Sequence, residues 1–371
     1  MNIALVTSEF SQHELCWTQG LRARGARILV VAPFGVRQGC LDAWGTDFEV
    51  QDMRDGWREA VRSGGVSILR QAAALRAVLE HRQVSIALAG WLQSDGLVLA
   101  CSAFRPFVLY PFGSDLLLRA RDSRRAACLA REVLRSADGI VFCSRVLRDA
   151  ALALARGGLP DARVIPVGVE VGRFRPESSD GSLRRTLGIS DRPLVVSTRN
   201  LAPVYGVDRL LRAFAGARAE VPGAFLALAG DGPLRREMEA LARDLGVDGD
   251  VGFLGRVDRE TLPRWLPDAD LYVSASHSDA ASVSLMEAMS CGLPCVVSDI
   301  PANREMVAEG RTGFCADFDG PAGAGRIVEI LRDPPRARQM GREARAAAVE
   351  RYDAARAHDR LWEMCREIAA A

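Results

Sequence analysis

The chain has 371 residues, of which 49% are hydrophobic and 26% are charged, and its formal net charge is +1. This length exceeds one ordinary hydrophobic core, so two globular domains are expected, and the composition excludes a disordered chain. The near-zero net charge provides no overall field that would attract nucleic acid or a membrane surface. The sequence contains no lysine, so any Lys or Arg contact to a phosphate must come from an arginine guanidinium.

Cysteine usage and hydropathy indicate the compartment. The nine cysteines are scattered without Cys-x-x-Cys spacing, which favours small buried residues in a reducing cytosol over a disulfide framework or a zinc site. No apolar run approaches the ~18 residues that span a bilayer, and the chain opens on a strand without a signal peptide. We expect a cytoplasmic protein without a metal or cofactor. Peripheral attachment to the inner face of the membrane stays open.

Short β-branched runs alternate with helical segments along the first half. Strands are predicted over residues 3–6, 27–31, 86–89, 106–110, 139–142 and 164–167, with helices that include 14–24, 66–82 and 124–136. The second half repeats this alternation. Its predicted strands are 194–197, 224–229, 251–253, 271–274 and 295–298, and its helices include 207–220, 233–245, 284–290 and 323–332.

Continuous apolar strands separated by helices are typical of parallel sheets covered on both faces. The fold class is therefore α/β, with two doubly wound, Rossmann-like domains expected to face each other across a cleft. We place an N-terminal, acceptor-side domain at 1–170, a linker at 171–185, a donor domain at 186–350 and a C-terminal helix at 351–371. Whether this helix returns to the N-terminal domain is left open by its periodicity.

Polar or glycine-rich segments follow four strands of the second half. They contain Arg199 after 194–197, Gly230 and Gly232 after 224–229, Arg256 and Val257 after 251–253, and Asp279 after 271–274. Ligands of open parallel sheets bind at this edge, where glycine-rich turns and helix N-termini hold phosphate and an arginine can pair with a diphosphate. Taken singly, each segment has an ordinary explanation as a tight turn or a surface charge. Their occurrence at four strand ends favours a ligand site.

The most informative segment is ASHSDAASVSLMEAMSCGLPCVVSD at 275–299. It carries two carboxylates eight residues apart, Asp279 and Glu287, ahead of Gly292-Leu293-Pro294 and an apolar strand. With the segments GDGPL at 230–234 and FLGRV at 253–257, it resembles the donor domain of family 4 retaining glycosyltransferases, which have the GT-B fold. The resemblance covers nearly the whole chain and is most specific from about 190 to 320.

The resemblance implies a role for each matching residue. Glu287 would bind the nucleotide ribose, Asp279 would contact hydroxyls of the donor sugar, and Arg199 would stabilise the departing diphosphate. The main-chain N–H groups around the start of the next helix would help to hold the diphosphate; they belong to Ser282, Val283 and Ser284. On the acceptor side, the segment Phe112-Gly113-Ser114-Asp115 continues the resemblance, so Ser114 and Asp115 are candidate acceptor residues.

Three positions depart from the family pattern. Asp279 replaces the first glutamate of the Glu-x7-Glu motif and is one methylene shorter. Tyr205 stands where relatives often carry a lysine, and its phenol would offer the donor one neutral hydrogen bond in place of a charge. The N-terminal Gly-Gly loop is absent, since residues 8–14 are SEFSQHE.

The predicted activity is the transfer of a sugar, with retention, from a nucleotide-diphosphate sugar to an acceptor in envelope polysaccharide, glycolipid or secondary-metabolite synthesis. Two alternatives stay open. One is a catalytically impaired subunit that only binds the sugar nucleotide; the other is a nucleotide-sugar epimerase of the same architecture.

Overall fold

A computed structural model of the chain describes residues 1–36, 48–53 and 68–371. The chain forms two compact units. One unit contains Met1–Val167 with Ala355–Ala371, and the other contains Gly168–Ala354. Residues 66 and 67 of the predicted helix 66–82 lie outside the described residues, and the helix there covers Ile68–His81.

Within its described residues, the first unit is built on a fully parallel seven-stranded sheet. Its strands are β1 (Asn2–Val6), β2 (Arg27–Ala32), β3 (Glu49–Asp52), β4 (Ile86–Ala89), β5 (Phe107–Leu109), β6 (Gly139–Phe142) and β7 (Asp161–Val164). The helices are α1 (Gln12–Ala23), α2 (Ile68–His81), α3 (Asp95–Cys101), α4 (Gly113–Leu117), α5 (Arg124–Ser136) and α6 (Arg145–Ala155). The strand order β3-β2-β1-β4-β5-β6-β7 reverses direction between β1 and β4, as a doubly wound sheet requires.

The second unit has a parallel six-stranded sheet of order β10-β9-β8-β11-β12-β13. The strands are β8 (Leu194–Ser197), β9 (Phe225–Leu228), β10 (Val251–Phe253), β11 (Leu271–Ser274), β12 (Cys295–Ser298) and β13 (Gly313–Ala316). The helices are α7 (Ser182–Leu187), α8 (Val207–Glu220), α9 (Arg235–Asp244), α10 (Leu262–Trp265), α11 (Val283–Ser290), α12 (Pro301–Met306), α13 (Ala322–Leu331) and α14 (Pro334–Arg351). Its direction reverses between β8 and β11.

Both faces of this second sheet are covered, as the continuous apolar strands predict. Along β8, Val195 packs into one hydrophobic layer, whereas Leu194 and Val196 pack into the layer on the opposite face. In β11, Val273 packs into the same layer as Val195, and Tyr272 packs into the layer on the opposite face. Successive side chains of a strand point to opposite faces, so an all-apolar strand is stable only between two such layers.

One predicted strand is wrong in its position. The run 164–167 was expected to form the last strand of the first sheet, but β7 covers Asp161–Val164 and pairs with β6 from Gly139 to Phe142. Residues 165–167 continue beyond the strand. Pro166 has no N–H group to donate to a ladder, which disfavours a strand through this position.

The last helix, α15 (Ala354–Ala370), packs within the first unit. Arg24 donates to the Asp359 carboxylate at 2.8 Å, and Arg163 forms an ion pair with Glu367 at 2.5 Å. Residues 179–183, which follow β7 in the chain, instead form hydrogen bonds within the second unit. Buried Asp268 accepts hydrogen bonds from Ser179 Oγ at 2.6 Å and from the main-chain N–H of Leu183 at 2.9 Å.

Candidate functional site

Arg199 and Asp279 meet at the carboxyl edge of the second sheet. Arg199 follows β8 and Asp279 follows β11, and these two strands are neighbours at the point where the strand order reverses. The connections from the two strands leave to opposite sides of such a point, which opens a crevice between them. The Arg199 Nη2 atom lies 2.7 Å from Asp279 Oδ2. The two side chains are only 10% and 16% exposed.

The remaining contacts of Arg199 fix its guanidinium in one orientation. Nη1 donates to Ser282 Oγ at 2.8 Å and to Ser284 Oγ at 2.9 Å. The ring of Tyr205 covers the guanidinium face, with its centroid 4.2 Å from Cζ. Arg199 Nε is buried and has no hydrogen-bond partner among the described residues.

Ser282 and Ser284 belong to the start of helix α11. Ser282 caps the helix, since its Oγ accepts the Leu285 N–H at 3.3 Å, and Ser284 Oγ also accepts from the Tyr272 hydroxyl at 2.9 Å. Serine is a preferred cap residue because its short side chain reaches the unpaired N–H groups of the first turn. The helix therefore presents its positive end beside Arg199, a combination suited to an anion.

Glu287 lies one helical turn beyond Ser284 on α11. Burial raises the pKa of Glu287 to about 8, although the positive charges of Arg259 and Arg199 act in the opposite direction. Arg259 itself donates to Glu170 at 3.0 Å. A carboxyl group in this setting can exchange hydrogen bonds with the hydroxyls of a ribose, and it becomes ionised more readily when such donors approach.

The glycine-rich turn after β9 supports the main chain of Arg199. A Cβ atom on Gly230 would lie 2.2 Å from the Arg199 carbonyl oxygen, and one on Gly232 would lie 2.4 Å from that of Leu201. The Leu201 N–H also donates to the Asp231 carbonyl at 3.0 Å. The close approach of the two loops therefore requires glycine at both positions, independently of any ligand contact.

Arg256 and Val257 lie apart from this cluster in the fold, because they follow the edge strand β10. Arg256 is exposed and Val257 is partly buried. No contact within the described residues connects either side chain to Arg199, Asp279 or Glu287. Their assignment to the donor stays a prediction.

In the first unit, Asp115 is fully buried and Ser114 is partly exposed. Asp115 Oδ2 accepts the Phe112 N–H at 3.0 Å and so holds the turn that begins α4. Burial raises the pKa of this carboxyl to about 7. The contact gives Asp115 a structural task; the acceptor role of both residues stays a prediction.

The sequence did not indicate Tyr272 or Arg259. Tyr272 is an aromatic residue in the mostly apolar strand β11. Its buried hydroxyl requires a hydrogen-bond partner, which here is Ser284. Arg259 follows the Gly-Arg-Val segment and gave no separate signal. Among the described residues, no group of three or more histidine, cysteine or acidic side chains could hold a metal ion.

Comparisons with known proteins identify the architecture first. The chain superimposes on sucrose-phosphate synthase from Thermosynechococcus elongatus with a TM-score of 0.80 and 19% identity, covering 100% of this chain and 99% of that one. It superimposes on Anabaena HepE, crystallised with UDP and glucose, with a TM-score of 0.81 and 21% identity over 99% and 100% of the two chains. The fold is GT-B, built from two Rossmann-like units.

The second unit contains a match to a known family. Residues 180–347 match the family described as Glycosyl transferases group 1. The chain is 32% identical over 231 residues to the GDP-mannose-dependent alpha-(1-6)-phosphatidylinositol monomannoside mannosyltransferase of Mycolicibacterium smegmatis. It is 30% identical over 172 residues to the N-acetyl-alpha-D-glucosaminyl L-malate synthase of Bacillus anthracis. These matches span 60% and 44% of the two curated relatives and 60% and 46% of this chain.

Proposed function

We propose that the protein is a glycosyltransferase of family 4 that moves a sugar from a nucleotide-diphosphate donor to an acceptor, with retention at the anomeric carbon. The observation that carries this proposal is the meeting of Arg199, Asp279 and the capped start of α11 at the switch point of the second sheet. One cation and one helix N-terminus suit the diphosphate, and a carboxylate suits the sugar hydroxyls.

The chemistry requires stabilisation of a departing nucleoside diphosphate. Negative charge increases on the diphosphate oxygen as its bond to the anomeric carbon of the sugar breaks. Hydrogen-bond donors already placed beside that oxygen lower the barrier. Arg199 would supply the charge, and the first N–H groups of α11 would supply fixed dipoles. Glu287 would hold the ribose and thereby set the position of the diphosphate. No protein nucleophile is assigned, and no metal or cofactor is invoked.

The relatives support a sugar-nucleotide donor and suggest the range of acceptors. The mannosyltransferase relative is named for GDP-mannose and a phosphatidylinositol mannoside, and HepE was crystallised with UDP and glucose. We therefore propose an acceptor in glycolipid, envelope polysaccharide or secondary-metabolite synthesis, reached from the cytoplasmic side. None of the helices within the described ranges is long and apolar enough to cross a membrane. The acceptor site is proposed to include Ser114 and Asp115.

Donor hydrolysis separates this proposal from a binding-only subunit. Purified protein is incubated with UDP- and GDP-sugars without acceptor, and released nucleoside diphosphate is measured beside an Arg199→Ala variant. We expect slow release that is lost in the variant. Donor binding without release or transfer to any supplied acceptor would favour the impaired subunit. Conversion of one nucleotide sugar into its epimer, detected by NMR, would favour the epimerase.

Retention is tested separately. Once a donor and an acceptor are found, the anomeric configuration of the first product formed is read from its NMR coupling constant. The same configuration as in the donor supports retention, and the opposite configuration contradicts it.

A further inference from the structure

Arg199 already has an anionic partner in the protein itself. Both Nη atoms are engaged, with Nη1 on two serine hydroxyls and Nη2 on the Asp279 carboxylate, while the Tyr205 ring covers one face. A donor diphosphate therefore meets an arginine that is neither free nor fully solvated. When the phosphate oxygens approach, they compete with these contacts for the guanidinium.

The serine contacts are the harder ones to release. Ser282 Oγ caps α11 by accepting the Leu285 N–H, and Ser284 Oγ is held by the buried Tyr272 hydroxyl. The two serine oxygens also lie 3.0 Å from each other. Moving either of them would disturb the helix start. Asp279 lies in the connection between β11 and α11, and among the described residues its second oxygen accepts a hydrogen bond only from the N–H of the next residue, Ala280, at 2.9 Å.

Charge also selects Asp279 as the partner that leaves. A diphosphate and the Asp279 carboxylate are both anions and would compete for one guanidinium. Other nearby arginines are engaged elsewhere, since Arg209 pairs with Asp319 at 2.8 Å and Arg259 with Glu170 at 3.0 Å. Position 205, where a lysine would add a second cation, holds a neutral ring stacked on Arg199.

Resting on the proposed function, we infer that Arg199 exchanges partners when the donor binds: it leaves Asp279 for the diphosphate, and the released carboxylate accepts hydrogen bonds from the donor sugar. Tyr205 is the positioning residue of this exchange, because its ring keeps the guanidinium in plane while the partners change. Sugar recognition and diphosphate binding are thereby coupled. A nucleoside diphosphate that lacks the sugar gives Asp279 no hydroxyl donors in return for the ion pair that it loses.

The exchange predicts unequal effects of one substitution on two ligands. In Asp279→Asn, the competing charge is gone while the side-chain shape and the contact to Ala280 are kept. We expect this variant to bind UDP or GDP about 3- to 30-fold more tightly than wild type, the range given by loss of one competing charge-assisted contact. The gain should be smaller for the matching nucleotide sugar, or absent, because an amide is a weaker hydrogen-bond acceptor for the sugar hydroxyls than a carboxylate.

The test is a calorimetric titration of UDP, GDP and the accepted nucleotide sugar into four proteins. Wild type and Asp279→Asn are compared with Asp279→Glu, which keeps the charge, and with Arg199→Ala, which removes the shared cation. Asp279→Glu keeps the competing charge and should therefore show no gain in affinity for the nucleoside diphosphate, and Arg199→Ala should bind it at least about tenfold more weakly.

Two outcomes are adverse and can be told apart. If wild type binds the nucleoside diphosphate but Asp279→Asn binds it equally or less tightly, Asp279 supports Arg199 instead of competing for it, and the exchange is refuted. If wild type binds none of these ligands, the proposed donor site is refuted and the exchange with it.

Discussion

The aromatic ring of Tyr205 lies over the guanidinium of Arg199, with 4.2 Å between its centroid and Cζ. Tyr205 ends a short 3-10 turn, Pro203–Tyr205, that precedes the left-handed Gly206 at the start of α8. The sequence analysis predicts that the phenol offers the donor one neutral hydrogen bond in place of a lysine's charge. The geometry gives the ring face the main role, because a cation over an aromatic face is stabilised without any contact to the hydroxyl.

Loss of the Arg199 charge and loss of the Tyr205 hydroxyl should therefore have very different effects. We expect Arg199→Ala to lower kcat/KM by about 100- to 1,000-fold, the usual consequence of removing one donor that stabilises a leaving oxyanion. Tyr205→Phe keeps the ring and should stay close to wild type. Steady-state kinetics on the accepted donor distinguish the two. Equal losses in both variants would show that the hydroxyl performs the task of the missing lysine.

Removal of the Tyr205 ring itself should lower kcat/KM. Tyr205→Leu keeps an apolar side chain but has no π-face, so it should lose about 0.5–2 kcal/mol of Arg199 positioning, or roughly 2- to 30-fold in kcat/KM. Tyr205→Phe is the matched control for the ring. If the leucine and phenylalanine variants have the same kcat/KM, the stacking contributes nothing to turnover.

Binding of a nucleoside diphosphate should release a proton from Glu287. Burial raises the pKa of this carboxyl to about 8, so it is mostly protonated at pH 7 in the free protein. Ribose hydroxyls that donate to the ionised form lower that pKa. Affinity should then rise with pH up to about 8 and level off above it. Calorimetry in buffers of different ionisation enthalpy measures the released proton.

Glu287→Gln is the control for this titration, because the nucleotide's own phosphate ionises identically with both proteins. The variant should lose the additional pH dependence and the additional proton release. Proton release equal to that of wild type would assign the titration to another group.

The glycine turn after β9 should be sensitive to a single methyl group. Gly230→Ala would place Cβ 2.2 Å from the Arg199 carbonyl oxygen, and relief of this overlap should cost about 1–3 kcal/mol of unfolding free energy. Gly325→Ala is the matched control: Gly325 lies in α13 with nothing within 4 Å of a new Cβ atom. That substitution should stabilise by about 0.5–1 kcal/mol. Chemical denaturation of both variants measures the difference, and equal stabilities would contradict the overlap.

The parallel sheets were predictable because their strands are marked by short apolar runs, and ten of them match within one residue at each end: β1, β2, β4, β5, β6, β8, β9, β10, β11 and β12. Among the edge strands of the described residues, β10 was predictable, whereas β3, β7 and β13 were missed or misplaced. β3 is Glu49–Asp52, half of it acidic, so it lacks the apolar pattern, and β13 (Gly313–Ala316) begins at a glycine and contains no β-branched residue. Their pairing is set by the neighbouring strand, which no local propensity encodes.

The candidate site was predictable in position and less so in its contacts. Strand ends of a parallel sheet share one edge, so Arg199 and Asp279 were expected near each other. That they bond directly depends on β8 and β11 being neighbours, which is a property of strand order. The Tyr205 stack depends on side-chain rotamers, and the linkage of Tyr272 to Ser284 depends on which face of β11 turns toward α11. Neither leaves a pattern in the sequence.

The most direct measurement is a calorimetric titration of UDP- and GDP-sugars into wild type and Glu287→Ala, combined with a transfer assay on both. A nucleotide-sugar site in the second unit predicts saturable, one-to-one binding of at least one donor by wild type. Glu287→Ala should lose most of that affinity and most of the activity. Absence of binding for every donor, together with unchanged activity in Glu287→Ala, would contradict the assignment of this site to a sugar-nucleotide donor.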